Sequence, residues 1–166
     1  NQEKLLLMHQ THSNKVIVID NKNKLSKKFS SDAIVTKMRG FALGVVTADC
    51  VPIIIYDAKN KMIGCVHAGW KGALSGIVEN TIKKFKVNNQ IFACIGPCIG
   101  SKSYEVDFNF YKKFISKSKR NLLYFVEKNE KKKLFDLRRY IYDKLTRLNV
   151  KVDHVRYDTL KENNKF

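Results

Sequence analysis

Three short segments place reactive side chains next to small residues: His9-Gln10-Thr11-His12, Thr47-Ala48-Asp49-Cys50 and His67-Ala68-Gly69-Trp70-Lys71-Gly72. Imidazole and thiolate are the ligand types that suit zinc, with Zn–N near 2.0–2.1 Å and Zn–S near 2.3 Å. Three such ligands leave a fourth position open, which is the arrangement of catalytic rather than structural sites. Water at such a position titrates near pH 7, within reach of hydrolytic chemistry. The chain holds four histidines, His9, His12, His67 and His154, and four cysteines, Cys50, Cys65, Cys94 and Cys98. Two of the first group and one of the second must supply any His₂Cys site. Spacing leaves the choice open. Cys65 precedes His67 by two residues and would share its face of a strand, so it competes with Cys50. Asp49 is either a general base or a turn residue, His9 reads as strand-bound and structural, and His154 has no reactive neighbour in sequence. Gly69 and Gly72 allow a ligand or another backbone to approach closely.

Junctions of this kind belong at the ends of sheet strands, and the elements around them fit that role. Residues 5–9, 15–19, 33–36, 42–47, 51–56 and 62–67 read as short strands, several apolar on both faces and therefore interior. Two hairpins are expected, one through Met38-Arg39-Gly40 and one through Asp57-Ala58-Lys59-Asn60. From Trp70 the period changes. Ala73, Leu74, Ile77, Val78, Thr81, Ile82 and Phe85 form one face of an amphipathic helix ending near Lys86. Residues 91–95 form a buried strand, and Asp107 N-caps a helix that turns Tyr111, Phe114 and Ile115 inward. Residues 122–126 form a strand; Leu134, Leu137, Ile141, Leu145 and Leu148 form a helical stripe; residues 152–157 close with a strand. The fold class is therefore α/β (α+β), with mixed β-sheets and outer helices.

Composition narrows the setting. With 166 residues and 44% hydrophobic content the chain suits one globular domain. The longest apolar run, residues 51–56, is strand-sized, far short of the roughly 18 residues of a membrane helix. No secretory leader is recognisable, so a cytoplasmic location is expected, with reduced thiols rather than a disulfide scaffold. The net charge of +17 suggests nucleic-acid binding at first sight. The excess, however, is lysine scattered in loops and helix ends (Lys22, Lys24, Lys27 and Lys28; Lys83, Lys84 and Lys86; Lys131 to Lys133), without interleaved aromatics. A solvated basic surface that also attracts anionic substrates is the expectation, with no dedicated nucleic-acid partner and no membrane partner.

Four ordered motifs, HQTHS, ADCVPIIIYD, HAGWKG and IGPCIGSKSYEV, resemble the YfiH-like family of purine nucleoside phosphorylases, formerly named multicopper polyphenol oxidases or laccase-domain proteins. The resemblance runs from about Leu6 to Tyr157. It implies a four-layer α/β/β/α sandwich and a zinc ion held by His12, Cys50 and His67, which separates Cys50 from Cys65. It also implies phosphorolysis of adenosine, inosine, guanosine and methylthioadenosine, and deamination of adenosine. Members are longer at both ends, so residues 1–166 are expected to be a single catalytic domain without the family's N- and C-terminal portions. Lys71 stands where arginine is common, keeping the charge for phosphate but losing the bidentate fork. Asp49, Cys50 and His67 are the expected catalytic residues, and Gln10, Gly69 and Lys71 the expected substrate contacts.

Two other readings use the same residues or the same charge. One is a cysteine hydrolase with Cys50 as nucleophile and His67 as base. The other is a basic RNA-binding domain, whose binding would be steeply salt-dependent. Copper is the alternative metal, since a His₂Cys set also suits a blue-copper site with a weak axial methionine. A multicopper oxidase is excluded, because four histidines cannot build a trinuclear cluster.

Overall fold

The computed structural model describes residues 5–20, 29–85 and 90–165. The basic stretch Lys22 to Lys28 and the expected helix end at Lys86 lie outside them. The central element is a six-stranded mixed sheet in the order β11-β7-β5-β6-β3-β2. Its strands are β2 (Val16–Ile19), β3 (Ala33–Thr36), β5 (Val51–Asp57), β6 (Met62–Ala68), β7 (Ile91–Ile95) and β11 (Lys151–His154). The interior strands β3 and β6 are buried along almost their whole length, as strands covered on both faces are; β5 and β7, expected to be buried, are covered on one face only and leave Ile54, Tyr56 and Phe92 exposed on the other. The β5–β6 hairpin forms as expected, with Val51 opposite Ala68 and Pro52 opposite His67.

The other expected hairpin does not form. Both sides of β3 are taken, by β2 in parallel and by β6 antiparallel. The strand that follows it, β4 (Ala42–Leu43), instead runs parallel to β1 (Leu5–Leu6) in a two-stranded sheet. Gly40 makes the intervening turn at φ +83°, a left-handed conformation that favours glycine. Leu6, Met8, Leu43 and Val45 then pack over Ile19, Ile34 and Cys65 on one face of the central sheet.

The opposite face is covered by helices. The expected single helix after Trp70 is two short ones, α1 (Trp70–Ser75) and α2 (Ile77–Ile82), because Gly76 sits at φ +95° between them. The apolar stripe survives the break: Ala73, Ile77, Val78, Thr81, Ile82 and Phe85 are all buried. Farther along, Asp107 caps α3 (Phe108–Lys117) by accepting from the Phe110 amide at 2.7 Å. Phe114 is fully inward, whereas Tyr111 and Ile115 are only partly covered.

Two later assignments shift. Residues 119–124 form a 3₁₀ turn that buries Asn121 and Tyr124 and leaves Leu122 and Leu123 exposed. The strand, β9 (Phe125–Glu127), begins only after it. Leu134 belongs to β10 (Lys132–Phe135), and α4 (Leu137–Arg147) starts after it with Asp136 as its cap. Alternation over four residues fits a strand as well as a helix edge, so the stripe alone could not separate them. β10 joins β8 (Glu105–Asp107) and β9 in an antiparallel three-stranded sheet.

Aromatic rings tie this smaller sheet to the junction that carries HAGW. Trp70 packs on Phe110 at 4.8 Å between centroids, Phe110 on Phe114 at 5.0 Å, and Phe114 on Phe135 at 4.7 Å. Phe114 is fully buried at the middle of this chain of contacts. Phe114→Ala should therefore destabilise the protein by about 3–5 kcal/mol, read from urea denaturation. A loss under about 1 kcal/mol would show that the cluster does not anchor the core.

Candidate metal centre and active site

The register of the β5–β6 hairpin builds the site. Pro52 lies opposite His67, so Cys50, two residues before Pro52, emerges at the same end of the sheet. Cys65 shares the strand face of His67 but lies two residues deeper, about 6.6 Å along the strand. It is buried among Ile19 and Ile34, where burial pushes its thiol up to about 11. The structure thus brings Cys50, not Cys65, to His12 and His67. The ligand atoms of His12, Cys50 and His67 lie within 4.8 Å of one another. Among the described residues no other group of three His, Cys, Asp or Glu side chains is so placed.

Two observations decide whether this set fits a metal. A tetrahedral zinc site separates its ligand atoms by about 3.3–3.6 Å, from the bond lengths alone. Cys50 Sγ and His12 Nε2 are 3.8 Å apart and all three donor atoms lie within 4.8 Å, so an ion would draw them together by up to about 1.5 Å. Secondly, the Nδ1 of His67 lies 2.8 Å from Asp32 Oδ1. With Nδ1–H donating to that carboxylate, Nε2 is left with its lone pair, the carboxylate–histidine arrangement typical of metal ligands. The donor set fits.

Asp32 is the residue that the sequence reading missed. It is fully buried, and its carboxylate accepts from the amides of Thr11, His12 and Ser13 and from the hydroxyls of Thr11 and Ser13, as well as from His67. Burial raises its pKa, but the bonds from Ser13, His67 and Thr11 outweigh that and hold it at about 2. Those amides fold the HQTHS loop around the carboxylate, and His12 is held at φ +57°. A non-glycine residue there costs roughly 1–2 kcal/mol, which charge-assisted bonds on both neighbouring amides can offset. No spacing rule marks Asp32. It reads as an ordinary acidic residue before a strand.

The remaining expected residues fall as follows. Gly69 permits close approach: a Cβ there would meet His12 Cδ2 at 2.8 Å and Cys50 Sγ at 3.0 Å. At Gly72 a Cβ would meet the Ser13 carbonyl at 2.7 Å, so this glycine lets α1 pack on the HQTHS loop. Asp49 is exposed; its Oδ1 accepts from the Thr159 hydroxyl at 2.7 Å and its carbonyl from the Ile99 amide at 3.0 Å. Lys71 is exposed, with its ammonium over the Trp70 ring. Gln10 spends both ends of its amide on the Val46 backbone, at 2.7 and 2.8 Å, and so braces the loop before Cys50. Tyr104, also not anticipated, is held up to about 12 by burial, with Cys50 and Asp49 adding to it. Its hydroxyl keeps its proton beside the site.

Burial, with Asp49, Asp32 and Cys98 nearby, also pushes the Cys50 thiol up. A nucleophilic cysteine needs the opposite shift, and the imidazole facing Cys50 Sγ is that of His12. Both features weigh against the cysteine-hydrolase reading with Cys50 and His67.

Comparison with known proteins identifies the family. The sequence model of the family described as multi-copper polyphenol oxidoreductase laccase matches residues 1–166. The chain belongs to this family. It is 34% identical over 159 residues to a purine nucleoside phosphorylase of Rickettsia conorii, covering 93% of this chain and 65% of the relative. It is 33% identical to one of Rickettsia prowazekii, covering 98% and 68%. An adenosine deaminase from an unknown prokaryotic organism, RL5, is 34% identical over 113 residues, covering 61% and 43%. The chain thus spans about two thirds of the length of the rickettsial relatives. The Neisseria meningitidis protein NMB0706 superposes with a TM-score of 0.86 at 27% identity, covering 96% of this chain and 66% of that one. Bacillus licheniformis YfiH superposes with a TM-score of 0.84 at 22% identity, with the same coverage. Of the four histidines in this sequence, two belong to the His₂Cys cluster.

Asp32→Asn keeps the shape and removes the charge. Zinc affinity, measured by competition with a chromophoric chelator, should fall 10- to 100-fold. Unchanged affinity would mean that Asp32 does not orient His67 for a metal.

Proposed function

We propose that this chain binds zinc through His12, Cys50 and His67 and acts on purine nucleosides as a single catalytic domain. The observation that carries the reading is the convergence of those three donors at one sheet end, with His67 oriented by Asp32. Zinc suits the set better than blue copper, which wants an axial methionine. Met8 and Met38 pack in the second apolar cluster and Met62 in the main core. A divalent cation held there supplies Lewis-acid polarisation of a bound oxygen.

The names of the relatives, purine nucleoside phosphorylase and adenosine deaminase, support two reactions on adenosine. Inosine, guanosine and methylthioadenosine join it as substrates of the first. In phosphorolysis, an oxygen of hydrogen phosphate bonds to C1′ of the ribose as the bond to the purine breaks, and the phosphate's proton passes to the purine nitrogen, which leaves as the neutral free base. Lys71, two residues after Gly69 and exposed, is the cation that would attract the phosphate. In deamination, water adds at C6 of adenine and ammonia leaves. Asp49, held by Thr159, takes the proton of the water and returns it to the leaving nitrogen. Tyr104, protonated at any working pH, offers a donor to the purine. Four cysteines without disulfides support a reducing, cytoplasmic setting. No helix among the described residues is long and apolar enough to cross a membrane.

The test is to incubate metal-analysed protein with adenosine and with inosine, with and without phosphate. Ammonia should appear from adenosine without phosphate, and free base from both only with it. Both activities should drop to background in His12→Ala and Cys50→Ala. Native rates in those variants, or a purified protein lacking stoichiometric zinc yet active, would overturn the assignment.

A further inference from the structure

Away from the His₂Cys cluster, a cavity of about 380 Å³ opens between α4 and the segment that follows β11. Its lining is dominated by Arg138, Arg139, Arg156, His154, Tyr142 and Ser101. Two carboxylates, Asp136 and Asp143, also line it, and both hold partners of their own. Asp136 caps α4 through the Arg139 amide at 2.9 Å, and Asp143 accepts from the Tyr124 hydroxyl at 2.8 Å and pairs with Arg147 at 3.8 Å. Among the described residues no carboxylate forms a salt bridge with Arg139 or Arg156. Arg138 is bound from behind, donating to the carbonyls of Cys98 and Tyr157, so its guanidinium is fixed in place.

His154 supplies the second observation. Its Nε2 lies 2.9 Å from Arg156 Nε. A guanidinium is always protonated and only donates, so Nε2 must be the acceptor and the proton of the neutral ring must sit on Nδ1. The contact also fixes the Arg156 guanidinium on the cavity wall, as the two carbonyls fix that of Arg138.

We propose that this cavity is a binding site for a phosphate group, which accepts from the guanidiniums of Arg139 and Arg156 beside the fixed Arg138. Phosphate presents several acceptor oxygens to planar guanidinium donors, which is the pairing arginine recognises best. The cavity exceeds what one phosphate fills, and the Tyr142 ring, 5.5 Å from that of His154, offers a wall for an organic moiety. The ligand class is therefore a small phosphomonoester, with inorganic phosphate sharing the same anchoring chemistry. The site uses no residue of the His₂Cys cluster and does not depend on the nucleoside reading. Ser101, on its lining, belongs to the loop whose Ile99 amide donates to the Asp49 carbonyl.

The experiment is amide and side-chain NMR of the full chain titrated separately with inorganic phosphate and with ribose 5-phosphate. Saturable shifts should concentrate at Tyr142, His154 and Arg156. Affinity should fall about tenfold or more in Arg139→Ala/Arg156→Ala, both exposed positions. Removing two charges elsewhere, in Lys112→Ala/Lys117→Ala, should leave it unchanged. Tighter binding of ribose 5-phosphate at these residues identifies an ester ligand and equal or tighter binding of inorganic phosphate the free ion; either supports the site. Shifts spread over the surface lysines, equal loss in the lysine variant, or native affinity in the arginine variant would overturn it.

Discussion

One buried carboxylate holds the site together. Asp32 stands at the start of β3, on the central sheet, and collects donors from two other parts of the chain: three successive amides of the HQTHS loop and the imidazole of His67. A carboxylate with no solvent access is tolerable only when its lone pairs are filled, and here they are. The loop cannot relax without stripping bonds from the anion. His12 is therefore kept in a left-handed backbone conformation and His67 in a fixed ring orientation. Two imidazoles from segments 55 residues apart are placed by one counter-charge.

The rest of the architecture supplies the thiol of Cys50 and the space beside it. The β5–β6 register sets Cys50 at the strand end beside His67, and Gly69 leaves room for the imidazole of His12 against the thiol. Trp70, the first residue of α1, is locked by Phe110 and Phe114, so the strand-to-helix junction is braced by a second, aromatic core. Burial and neighbouring carboxylates then favour the neutral thiol at Cys50. Such a thiol gives up its proton when a cation arrives, which couples metal binding to proton release.

Much of this was legible in the residues themselves. Long interior strands announce themselves as Val- and Ile-rich runs, and the β5–β6 hairpin follows from two such runs around a polar turn. His12, Cys50 and His67 stood out by type and by their small neighbours. What resisted reading was set by partners distant in sequence. The pairing of β4 with β1 depends on β3 being occupied on both sides. The break at Gly76 is invisible to a periodicity that continues across it. The choice of Cys50 over Cys65 needed either family motifs or the register of a hairpin. Asp32 carries no local signature, because its role consists entirely of what folds around it. Gln10 shows the converse: it sits in a reactive-looking motif, yet its amide is consumed by Val46.

The central claim is that two imidazoles and the Cys50 thiolate share one divalent ion. Cobalt substitution tests it most directly, since tetrahedral cobalt gives intense visible bands and a thiolate ligand adds a charge-transfer band in the near ultraviolet. The account predicts one equivalent of cobalt with both features, the thiolate band lost in Cys50→Ser and retained in Cys65→Ser. A thiolate band that persists in Cys50→Ser, or an octahedral spectrum without one, would contradict it.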